Sequence, residues 1–202
     1  MIVATVGGAG VPVDEVDARE ARLRDGPLAA ALPAEGTSEG RQLRRWLTQL
    51  IVTERVIATE AAALGVTDAD APAEAELLPD ATARLEIGSV AAAALANPLA
   101  RNVFARITGG VDVGDADVDA YHARNPLRFA APAPTRDGWR GPAPTAPSLD
   151  DVRPQIAEHL RAAARRRAFR VWLDARRSAL VRLAPGYEHP GDPRQPDNTH
   201  RH

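Results

Sequence analysis

The residues of this chain that could do chemistry are few and lie far apart. Three histidines near the C-terminus, His189, His200 and His202, with Asp192 and Asp197 between them, offer imidazole nitrogen and carboxylate oxygen to a divalent zinc, copper or nickel ion. A His-x-His pair in an extended chain brings two imidazoles within reach of one ion. Prolines at 185, 190, 193 and 196 keep this tail extended. The competing readings are a solvated polar terminus, or a docking segment that also uses Tyr187, Arg194 and Arg201. No other cofactor is suggested.

Two further side chains are weak catalytic candidates. Gly36-Thr-Ser-Glu-Gly40 spells the G-x-S-x-G pattern of acyl-transferring serine enzymes, which would make Ser38 a nucleophile. No strand run precedes Gly36, however, and Ser38 is well placed to cap the helix that follows, so capping is expected. Glu54 falls within an apolar stripe, where an unpaired carboxylate is costly to bury. No second acid or histidine is placed beside it. An arginine partner, from the neighbourhood of Arg55 or from the C-terminal helix, is therefore expected rather than acid–base catalysis. His122 and His159 lack spaced partners and read as surface or satisfied residues. Gly7-Gly8-Ala9-Gly10 follows a strand, but Pro12, Asp14 and Glu15 spoil a phosphate cradle, leaving a hairpin turn.

Composition narrows the classes. The 202 residues suit one domain with a modest core. Aromatics make up only 4%, so helices should meet through small alanine contacts. All 25 basic residues are arginine, a usage that reads as a GC-rich genome before it reads as chemistry. The absence of cysteine excludes disulfides and thiolate chemistry. The net charge of −2 is unevenly spread, with aspartates at 112, 115, 117 and 119 and a run of arginines from 161 to 177. Such opposed blocks solvate helices or pair internally, so no nucleic-acid partner is expected. Without a signal-like start or a membrane-length apolar run, a cytoplasmic protein with no membrane partner is expected.

These residues must be positioned by mostly helical elements. A strand from Met1 to Val6 turns at Gly7-Gly8 towards Val11-Pro12-Val13, and a helix follows over Asp14 to Arg24. Thr37 or Ser38 caps a long helix in which Leu43, Leu47, Leu50, Ile57, Ala61 and Leu64 recur at helical spacing, ended by Gly65. The sequence predicts one helix from Asp80 through Ala94, another over Leu99 to Ile107 and a short one over Asp115 to Arg124. Five prolines between Ala130 and Pro147 mark a linker, with Trp139 as its one large anchor. Ser148 and Asp151 form a capping box for a last helix whose four-spaced stripe runs Val152, Ile156, Leu160, Ala164, Ala168, Trp172, Ala175. Val181 to Ala184 then offers a second short strand. Two β segments at opposite ends of a helical chain predict that the termini meet in a small sheet.

That order, with Val3-Ala-Thr-Val6, Val13-Asp-Glu-Val-Asp17, the Gln42 to Glu54 helix, Asp117 to Pro126 with Arg128-Phe129, and Val152-Arg-Pro-Gln-Ile156 with Trp172, resembles the chaperone part of SurA and PrsA type foldases. The resemblance implies a mostly α fold, a SurA-like helical chaperone domain with a small sheet pairing the N- and C-terminal strands. Residues 1–129 would form the hairpin and helical region, 130–147 the linker, 148–184 the helix and strand completing the same domain, and 185–202 the tail. The parvulin isomerase domain of that family would follow Phe129. The linker there cannot form one, so prolyl isomerase activity is not implied. The secretion signal or lipid anchor usual in that family is not expected here either.

The function expected is nonenzymatic binding of an unfolded or partner polypeptide in an apolar groove lined by Leu47, Leu50, Ile51, Leu160 and Trp172, in a protein that could also dimerise. The alternative is an accessory protein or enzyme of a biosynthetic pathway of the secondary-metabolite or polyketide type, using the histidine tail for metal or the groove for a small ligand. Acyl transfer through Ser38 is a weaker alternative.

Overall fold

The computed structural model describes residues 1–27, 29–130 and 145–189. Most of the proline-rich linker with Trp139, and the metal candidates His200 and His202, lie outside these residues. The described chain is mostly helical and carries one small three-stranded antiparallel sheet.

Strand β1 (Ile2–Val6) turns back as β2 (Ala9–Pro12) through Gly7 and Gly8, whose φ angles of 55° and 88° supply the left-handed turn that suits a two-residue hairpin. A lone hairpin is marginal in water. Here β3 (Val181–Leu183) pairs on the other side of β1, with Thr5 opposite Arg182, in the order β2-β1-β3. The two ends of the chain do meet in one sheet, as expected. Val3, Ala4, Val6 and Val11 of this sheet are buried.

Helix α1 (Val13–Arg24) leads to α2 (Ser38–Leu64), the central element, which packs on α1, β1 and three later helices. Thr37, not Ser38, is the cap: its Oγ1 accepts from the Gly40 N–H at 3.0 Å. Gly65, left-handed at φ 63°, ends the helix. From Leu47 to Thr53 every residue of α2 is buried, including the polar Thr48, Gln49 and Thr53. A period-3.6 stripe underestimates such a helix, because neighbours cover it on more than one side.

A single turn, α3 (Glu74–Leu77), interrupts the acidic loop after α2. The helix predicted over 80–94 is two helices, α4 (Ala81–Ile87) and α5 (Ser89–Ala94). Gly88 separates them at φ 90°, ψ 148°, a conformation that no helix contains. Helix α6 (Pro98–Thr108) starts on an Asn97 cap with proline in its first turn, and α7 (Asp115–Arg124) follows.

The last helix, α8 (Leu149–Leu180), has 32 residues, about 48 Å at 1.5 Å each. Its buried face runs Val152, Ile156, Arg166, Phe169, Leu173. Ala175 of the predicted stripe is exposed and Trp172 only half-buried. Steps of four residues drift about 40° each around a 3.6-residue helix, so such a line cannot stay on one face for more than a few turns. The N-terminal part of α8 joins Val118 of α7 in a small satellite cluster, and its C-terminal part joins the main core through Phe169 and Leu173. Phe104 and Phe169 stack there with ring centroids 5.0 Å apart.

Candidate functional site

Helical spacing places Arg170, Leu173, Asp174, Arg177 and Ser178 on one face of α8. Opposite stands the corner made by Gly88, with Ile87 ending α4 and Ser89, Val90 and Ala91 opening α5. The chain leaving β3 brings His189 to the same place. These residues enclose an open cleft of about 480 Å³.

Arg177 connects the cleft to the centre of the protein. Its Nη1 donates to Thr53 Oγ1 at 2.6 Å, and its Nη2 donates to Gln49 Oε1. The Thr53 hydroxyl donates in turn to the Gln49 carbonyl at 2.8 Å, and Gln49 Nε2 donates to the Tyr187 carbonyl at 2.8 Å. Gln49 and Thr53 are fully buried, so this chain of bonds satisfies polar groups that would otherwise be costly. No carboxylate lies within ion-pair distance of Arg177 among the described residues. Burial pushes its pKa below the ordinary arginine value, and Asp174 one turn earlier opposes that shift. A guanidinium is too strong a base to lose its proton at neutral pH in a protein.

Several other interior arginines are neutralised by carboxylates. Arg166 meets Glu86 at 2.7 Å, Arg176 meets the buried Glu60 at 2.6 Å, and Arg44 and Arg24 share the buried Glu20, each at 2.6 Å. Burial alone would raise the Glu20 pKa, but hydrogen bonds and charge from Arg24 and Arg44 outweigh it and leave the carboxyl below its usual range. For Arg44, burial is likewise outweighed, by Asp17 and Glu20, and its pKa is raised. Those groups, with Glu35 and Arg41, line a second cleft between α1 and α2 whose charges oppose one another. Arg170 resembles Arg177 in lacking a carboxylate partner among the described residues. It donates only to the Glu86 carbonyl, at 3.1 Å.

The predicted site residues are dispersed. Leu47, Leu50 and Ile51 are sealed in the main core and line no open groove between α2 and α8. Arg176–Glu60 and Arg177–Thr53 tie those two helices together instead. Leu160 belongs to the satellite cluster, and Trp172 lies half-buried against Phe169 with centroids 5.4 Å apart. Ser38 begins α2 after a turn, with no strand to form a nucleophile elbow. Glu54 pairs with Arg19 of α1, a partner predicted neither near Arg55 nor on α8. Of the three tail histidines, His189 reaches the cleft, and among the described residues no group of three His, Asp or Glu side chains could hold a metal. His159 Nε2 lies 3.2 Å from Tyr121 Oη, and His122 Nε2 lies 3.1 Å from the Pro147 carbonyl, so both histidines have partners.

Gln49, Thr53 and Arg177 escape a reading by sequence pattern because Arg177 sits in a run that looks solvating. The available signal is that Gln49 and Thr53 interrupt the apolar part of α2 four residues apart, on one face.

Residues 2–39, which hold the hairpin, α1 and the loop before α2, match a family of unknown function (DUF7158). No curated protein and no solved structure shows a significant match to the chain.

Proposed function

We propose that this protein is a nonenzymatic, chaperone-like binder of polypeptide segments, of the SurA and PrsA kind without the isomerase domain, acting in the cytoplasm. Its binding site is the cleft between α8, the Gly88 corner and His189, in place of the α2–α8 groove expected from the sequence. One observation carries the reading: Arg177, a guanidinium with no carboxylate partner among the described residues, lines an open cleft whose floor is formed by the largely buried Ile87, Val90, Ala91 and Leu173. A charged group fixed by buried neutral acceptors is available to a ligand, and an apolar wall beside it favours a segment with both features.

The test is binding of a permanently unfolded reporter protein, followed by fluorescence anisotropy, to the wild type and to Ser178→Trp. Ser178 is exposed at the cleft, so the indole should block it without altering the melting temperature. Binding by the wild type and loss in the variant is the expected result. No binding by the wild type would exclude the reading, and undiminished binding by Ser178→Trp would remove the site from this cleft.

A further inference from the structure

Resting on that reading, we infer that the cleft recognises the C-terminal residue of the bound segment, with the α-carboxylate on Arg177 and an apolar last side chain against Leu173, Ile87 and Val90. The argument begins with the donors. A guanidinium carries five N–H groups. Arg177 commits two of them, to Thr53 and Gln49, and among the described residues the other three have no hydrogen-bond partner. Those two bonds hold the planar fork at a set orientation, and a fork so held suits a planar carboxylate.

Spacing along α8 supplies the rest. Leu173 precedes Arg177 by one turn, about 6 Å along the axis, and Arg170 lies about 10 Å away on the same face. Six ångströms is the scale on which one amino-acid residue carries both a carboxylate and a side chain. Asp174 lines the same cleft and can accept the backbone N–H of that residue. A terminal α-carbon bears all three groups the cleft can meet: carboxylate, apolar side chain and N–H. A side-chain carboxylate of Asp or Glu bears only the first of them on its own carbon.

Charge argues for a carboxylate over a phosphate. Arg170 and Arg177 contribute two positive charges and Asp174 one negative, so the arginine and aspartate side chains of the cleft sum to one net positive charge. A single carboxylate balances it. A phosphate dianion would exceed it and face the Asp174 carboxylate.

The experiment uses the full chain and N-terminally labelled hexapeptides ending in Ala-Leu, read by anisotropy. The free acid should bind at least tenfold more tightly than the same peptide as its C-terminal amide. Arg170→Gln should weaken the free acid severalfold and narrow the gap between acid and amide, and N-acetyl-leucine, but not inorganic phosphate, should displace the free acid. Equal affinity for acid and amide would overturn the inference while leaving polypeptide binding intact. An amidated peptide with Glu at the penultimate position binding as tightly as the free acid would also overturn it, in favour of side-chain carboxylates. Displacement by phosphate alone would overturn the carboxylate assignment. Failure of every peptide and of the unfolded reporter would overturn the binding function itself.

Discussion

Arg177 of α8 donates to Thr53 Oγ1 of α2 at 2.6 Å across 124 residues of sequence, and the same guanidinium holds Gln49. This links the longest helix to the central one through polar groups inside the core. Replacing Arg177 by Met strands the Gln49 Oε1 acceptor, whose residue has no exposure to water. Leaving such a group unsatisfied costs about 1–3 kcal/mol. Urea denaturation of Arg177→Met should show a loss in that range. The double variant Gln49→Leu with Arg177→Met should lose less than the sum of the singles, since an apolar pair has nothing to satisfy.

Phe169 and Trp172 are neighbours on α8 with different burdens. Phe169 is fully buried and touches both Phe104 and Trp172, whereas Trp172 is half-buried. Phe169→Ala should cost about 3–5 kcal/mol, the range for a core aromatic. Trp172→Ala should cost distinctly less. Equal shifts in the urea midpoint would mean that the main core extends over Trp172.

Gly88 turns α4 into α5 at φ 90°, ψ 148°, a backbone region that only glycine enters readily. An added Cβ would meet nothing within 4 Å, so the cost of Gly88→Ala is conformational rather than steric. Thermal unfolding should show about 1–3 kcal/mol of destabilisation. Gly110→Ala, where a Cβ likewise meets nothing and φ is ordinary, is the control and should change little.

Glu20 makes stability depend on acidity in a definite direction. Its folded pKa lies below the usual 4.5 because Arg24 and Arg44 outweigh the effect of burial. A carboxyl with a depressed folded pKa contributes stability above its unfolded pKa, and loses it as pH falls from there through the folded value. Glu20→Gln should therefore be less stable than the wild type at pH 7, and the gap should close as pH falls below about 4.5. A gap that is constant from pH 7 to pH 3 in paired chemical melts would show that the charge of Glu20 is not what matters.

Local patterns read from the residues proved sufficient where the cause is local. Gly7-Gly8 required a hairpin turn, Gly65 a left-handed helix end, and Ser148 with Asp151 a helix start, whose Oγ–Oδ2 distance is 2.6 Å. Asp115–Arg124 was legible to the residue, since its entry and its exit at Asn125-Pro126 are both written in the chain. Apolar periodicity picked out α2 and α8, and short β segments at the two ends were enough to expect the closing sheet. The division at Gly88 was missed because alanine-rich flanks favour helix on both sides.

The candidate site was the part that local pattern could not reach. Its residues come from α2, the α4–α5 corner, α8 and the segment after β3, and no motif spans such separations. Arginine in a basic run looks the same whether it faces water, as most charged helical positions do, or is turned inward as Arg177 is. The choice depends on which acceptor the neighbouring helix presents. Likewise Glu54 found Arg19 on α1 because the α1–α2 packing set that distance, and Leu47, Leu50 and Ile51 became core rather than groove because other elements closed over them. Periodicity and capping act over one or two turns and are decided by neighbours in the chain. Burial, ion pairing and the shape of a cleft are decided by which elements pack together, and only the assembled tertiary structure determines that.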